Sequence, residues 1–106
     1  MPYRVIVTPE AESDLRKIYT YIRGQGSPEA ARTWLHGARQ KIKSLARQPE
    51  RAGMARESGS FPERLRELLY GHGNRGTYRI IFVIIDLSVF VLHVRHGSRL
   101  PLEPEA

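Results

Sequence analysis

Two stretches of this chain open in the same way. Thr8-Pro9-Glu10-Ala11 and Ser27-Pro28-Glu29-Ala30 each set a hydroxyl residue ahead of a proline and a glutamate. The hydroxyl can accept from an orphan amide of a first helical turn, and the fixed φ of proline suits the first helical position. Behind the first start, Ala11, Leu15, Ile18 and Ile22 recur at helical spacing as far as Gly24. Behind the second, Ala31, Leu35, Ala38, Ile42 and Leu45 do the same until Gln48-Pro49. Joined by Gly24-Gln25-Gly26, they form a helical hairpin whose apolar stripes must lie on something apolar.

The rest of the chain supplies a sheet. Tyr3 to Thr8 is a short β-branched run and reads as a first strand. The stretch from Pro49 to Pro62 has no periodicity and reads as a loop. Three strand candidates follow, Leu65 to Tyr70, Thr77 to Ile85 and Ser88 to Arg95, linked by "GHGNRG" and by Asp86-Leu87. The expected fold is α+β, one domain over residues 1–106. An N-terminal strand and helical hairpin precede a three-stranded antiparallel meander. Together they give a four-stranded antiparallel sheet with the helices on one face. The first strand is expected antiparallel beside the second or the fourth. Nothing in the sequence covers the other face, which is where function is expected.

Composition excludes several chemistries. With no cysteine there are no disulfides, thiol nucleophiles or thiolate metal sites. The N-terminus lacks a signal-peptide layout, and Ile80 to Ile85 is too short to span a bilayer, so a cytoplasmic location is the default expectation. The formal net charge is +6, with arginine far outnumbering lysine. Such a surface attracts phosphates and acidic proteins without naming either.

Strand alternation sorts the side chains. Tyr78, Ile80, Phe82 and Ile84 form one row, expected to face the helices with Phe90, Leu92 and Val94. Ile81, Val83, Val89 and Val91 fall on the open face, as an apolar groove awaiting a partner. Arg79, His93 and Arg95 share that face, Arg66 is placed to join them, and His96 and Arg99 lie at the same rim. Arginine forks bind phosphate or carboxylate bidentately, and a histidine can move a proton near neutral pH. Those are parts of metal-independent RNA cleavage. They are equally the parts of a solvated strand end. Other motifs fail: His93 and His96, three apart on a strand, point to opposite faces and make no metal pair, and Ser98 has no triad partner at a defined spacing. Trp34 falls beside the second stripe and reads as core. No metal or cofactor is implied.

"TPEAESDLRKIYTYI", "SPEAARTWLHGARQKIKSLARQP", "LRELLYG", "TYRIIFVI" and "VFVLHVRHGSR", in this order, resemble the RelE/ParE superfamily of bacterial toxins. The resemblance implies the toxin half of a type II toxin–antitoxin module, neutralised by a cognate antitoxin that wraps a basic surface. RelE-like members cleave mRNA on the ribosome, and the resemblance then implies Arg79, with His93 and Arg95, as catalytic candidates. Many such members also need a tyrosine or a His-Tyr pair near the C-terminus, and this chain ends "RLPLEPEA". ParE-like members act on DNA gyrase without obvious catalytic residues, and their last strand commonly ends in a His-Gly-small-Arg turn, which His96 to Arg99 resembles. The ParE-like version is therefore preferred. Arg66, Arg79, His93, Arg95, His96 and Arg99 are its candidate contacts to target or antitoxin.

Overall fold

The computed structural model describes residues 2–71 and 76–98. Its elements are β1 (Arg4–Val7), α1 (Pro9–Gly24), α2 (Pro28–Lys43), β2 (Gly53–Met54), β3 (Arg66–Gly71), β4 (Thr77–Ile85) and β5 (Ser88–His96), with short 3-10 turns after α2 and between β2 and β3. Both helix starts form as the sequence dictates. Thr8 Oγ1 accepts from the Ala11 amide at 3.3 Å and Ser27 Oγ from the Ala30 amide at 3.1 Å. Each proline occupies the first turn.

The fold is α+β, with two helices on a five-stranded, mostly antiparallel sheet in the order β1-β5-β4-β3-β2. Two details differ from the expectation. Gly53–Met54 forms a two-residue strand against Glu67 and Arg66, in a stretch with no alternation to announce it. That extra strand adds one reversal of chain direction, so β1 runs parallel to β5, not antiparallel, with Val5 opposite Val89 and Val7 opposite Val91.

A third difference decides which residues face the helices. Ile81 pairs with His93 but Phe82 pairs with Val91, so Leu92 is the extra residue of a β-bulge. Ahead of the bulge, alternation on β5 is inverted. Val89 and Val91 therefore join Val94, Ile80, Phe82, Leu15, Trp34 and Ile42 in the helix-side core, while Phe90 and Leu92 turn to the opposite face. Tyr78, Ile80 and Phe82 face the helices as the pattern demands.

α2 approaches β3 closely because Gly37 has no side chain. A Cβ there would overlap the hydroxyl of Tyr70, which donates to the Trp34 carbonyl at 3.0 Å. Trp34 itself is fully buried and meets Tyr70 and Tyr78 edge-on at 5.8 and 5.0 Å. Alanine normally favours a helix over glycine by about 1 kcal/mol. Here overpacking, of order 1–3 kcal/mol, opposes that gain. Gly37→Ala should destabilise the wild type and cost clearly less in a Tyr70→Phe background, where the hydroxyl is gone and only the close ring carbons remain, as read by urea melts of the four variants. Additive effects would remove the contact as the cause.

Candidate functional site

The face away from the helices is not open. The segment between β2 and β3 folds across it, and Ala55, Leu65 and the half-buried Phe61 pack on Ile81, Val83, Phe90 and Leu92. The expected exposed groove is thereby corrected. Ile81 is 0% and Val83 8% exposed, and Val89 and Val91 lie in the helix-side core.

Arg79 is the centre of this second face. Its register partner is Arg95, a like charge opposite it across the strands, which alone would be repulsive. Two carboxylates resolve the conflict. Arg79 Nη1 donates to Glu57 Oε1 at 2.8 Å and to Glu67 Oε1 at 3.0 Å, and Nη2 donates to Glu57 Oε2 at 2.7 Å. The Arg79 and Glu57 side chains are both fully buried. The hydrogen bonds to Glu57 raise the guanidinium above its ordinary pKa, burial opposes this, and the Glu67 contact adds to the rise. Arg79 is thus no free cation for a phosphate, since its fork is already filled.

The other candidates divide. His93 and Arg95 do share a face with Arg79, because the bulge precedes them and leaves their alternation intact. Arg66 does not join them. It lies opposite Phe82, on the helix side, and its Nη1 donates to the Ala52 carbonyl at 2.8 Å and the Glu50 carbonyl at 3.2 Å. His96 is also on the helix side, opposite Tyr78, with the two rings edge-on at 5.0 Å. Its Nδ1 accepts from the Ser98 amide at 3.1 Å and lies 2.7 Å from the Ser98 hydroxyl. Arg99 and the central residues of "GHGNRG" lie outside the described residues.

His93 has a partner that the sequence did not announce. Its Nδ1 lies 3.1 Å from Asp14 Oδ2 on α1, and the same oxygen accepts from the Val94 amide at 3.0 Å. Burial alone would raise the Asp14 carboxyl. The His93 and Val94 hydrogen bonds, with the charges of His93 and Lys17, outweigh it and hold the carboxyl below its usual value. Glu67 reaches Arg79 because its register opposite Ile81 puts it on that face, the reverse of what placing its neighbour Arg66 there implied. Glu57 and Asp14 were not legible, because neither loop nor helix position signals a partner on a distant strand. Among the described residues, no group of three or more metal-ligating side chains comes together.

Residues 5–101 match the family described as the ParE toxin of the type II toxin–antitoxin system, parDE. The chain belongs to the ParE toxin family. Among solved structures, the chromosomal ParDE system from P. aeruginosa is similar with a TM-score of 0.71, over 89% of this chain and 95% of that one, at 20% identity. The RelBE2 toxin–antitoxin complex from Mycobacterium tuberculosis is similar with a TM-score of 0.52, over 91% and 99%, at 27% identity. No curated protein matches. In this ParE-family domain the last strand, β5, carries both His93 and Arg95, and α1 reaches its edge through Asp14.

Two outcomes follow from the charges. Replacing Arg79 with alanine removes the cation that donates to both Glu57 oxygens and should cost about 3–5 kcal/mol of stability, checked by a denaturant melt. A neutral result would place the pair in water. Asp14, depressed in the folded state, stabilises fully above its unfolded pKa of about 3.9 and progressively less as pH falls through the folded value. Wild type should exceed Asp14→Asn by about 1–2 kcal/mol at pH 6, the gap closing below pH ~4, as measured by urea melts across pH.

Proposed function

We propose that this chain is the toxin half of a type II module, neutralised by a cognate antitoxin, and that it acts on DNA gyrase. The ParE family match supports the first part, and the structural neighbours, both toxin–antitoxin assemblies, support an antitoxin partner. The surplus of basic over acidic residues suits an acidic partner tail by electrostatic complementarity.

The observation that carries the choice of gyrase is the state of Arg79. Ribosome-dependent RNA cleavage, as the RelE resemblance implies it, would use that arginine to stabilise charge on the transferring phosphate. Such a donor acts only when aimed at the developing charge. Here both its terminal nitrogens are committed to carboxylates. His96 and Arg66, on the helix side, are not placed to replace it. A ParE-like action needs no acid–base centre. It asks for a binding surface, and Arg95, with His96 and the turn after it, provides the polar end of β5.

One observation favours the mRNA endoribonuclease reading. Asp14 holds Nδ1 of His93, an orientation that leaves Nε2 available as a base, and His93 is about one-third exposed. The test uses purified wild type and His93→Gln. Gyrase supercoiling should be inhibited by both, with ribosome-bound mRNA left intact in primer extension. Discrete cleavage in translated frames that His93→Gln abolishes would overturn the gyrase reading in favour of the nuclease.

A further inference from the structure

The segment that covers the second face carries several hydrogen bonds of its own. The Ala55 amide donates to the Leu65 carbonyl at 2.8 Å, closing the two ends like the neck of an Ω-loop. Inside it, the Ser58 amide donates to the Ala55 carbonyl at 3.0 Å and the Ser60 amide to the Glu57 carbonyl at 2.9 Å. Only Ala55, Glu57 and Leu65 are buried, Ser58 and Phe61 are half-buried, and the remaining residues face solvent. β2 and β3 pair below the neck, at Gly53 with Glu67 and Met54 with Arg66, so displacing the loop need not separate any strands.

Polar ties to the rest of the domain include two among the described residues. One is a long hydrogen bond of 3.3 Å from Arg56 Nη1 to the Gly97 carbonyl. The other is the buried Glu57–Arg79 pair. A buried pair gives back much of its attraction as lost hydration, and Arg79 Nε is buried without a hydrogen-bond partner. The sheet side of the pair also has a reserve. Glu67, itself on β3 and partly exposed, still neutralises Arg79 when Glu57 departs, and Glu57 regains water as it leaves.

We propose that Ala55–Leu65 is a lid that opens as a unit about its own neck, with Glu57–Arg79 as the latch, baring Ile81, Val83, Phe90 and Leu92 while helices and sheet stay folded. The proposal is independent of the toxin's target. Local opening of this kind lies below global unfolding in free energy, because it breaks few apolar contacts and no ladder.

The absence of cysteine makes the lid directly measurable. Val83→Cys places a thiol under the lid, and Val89→Cys places one in the helix-side core, where opening the lid exposes nothing. Under native conditions the Val83→Cys protein should react with a bulky disulfide reagent about 100-fold faster than Val89→Cys, with a weak dependence on urea. Adding Glu57→Gln should accelerate the first thiol about tenfold and the second by less. Equal rates at the two positions would overturn the proposal, since the cover would then part from the sheet only with the whole domain. So would a failure of Glu57→Gln to accelerate Val83→Cys selectively. The wild-type comparison stands even if the Glu57 variant folds poorly.

Discussion

β4 lies between β3 and β5, and it is buried from Tyr78 through Val83 without a break. A strand buried on both faces asks the chain for two covers. The helical hairpin is one, laid on Tyr78, Ile80 and Phe82. The other falls to a stretch of turns, which seals Ile81 and Val83 with Ala55, Phe61 and Leu65. The odd row of β4 also holds Arg79, so the second cover must bring a carboxylate as well as apolar surface. Glu57 meets that need. The position of the cover and the neutralisation of the arginine are thus one event.

What could be read from the sequence follows from how local the signals are. Helix starts, stripes and the helix-facing row of β4 are written within a few turns or residues, and all appear where the periodicities place them. The bulge at Leu92 is different in kind. Nothing in "SVFVLHVRH" distinguishes a regular strand from one carrying an extra residue, yet the slip exchanges the destinations of Val89 and Val91 with those of Phe90 and Leu92. β2 escaped notice because two residues cannot show alternation, and its reversal sets the direction of β1 relative to β5.

The candidate site was legible as a row and not as a charge balance. Arg79, His93 and Arg95 do lie on one face, because the bulge precedes the last two. Their partners come from far along the chain, Glu57 from 22 residues away and Asp14 from 79. No spacing rule reaches that far, so Arg79 and His93, two members of a basic cluster in the sequence, meet carboxylates in the fold. Arg66 was placed on the face and His96 at its rim beyond the strand, whereas β3 register sends Arg66 to the helices opposite Phe82 and β5 extends to His96, opposite Tyr78 on the helix side.

The carboxylate of Asp14 has a consequence for how the molecule keeps to itself. β1 accompanies β5 only as far as Val91, where the chain turns into α1 at Thr8, and beyond that point the backbone of β5 lies at the border of the sheet. A bare strand border is a template for edge-to-edge aggregation. Asp14 occupies the Val94 amide that an incoming strand would need, and it presents a negative oxygen where the newcomer's carbonyl would have to sit. One helix residue thus acts as a stopper against cross-β growth, and acid, by neutralising it, loosens that stopper.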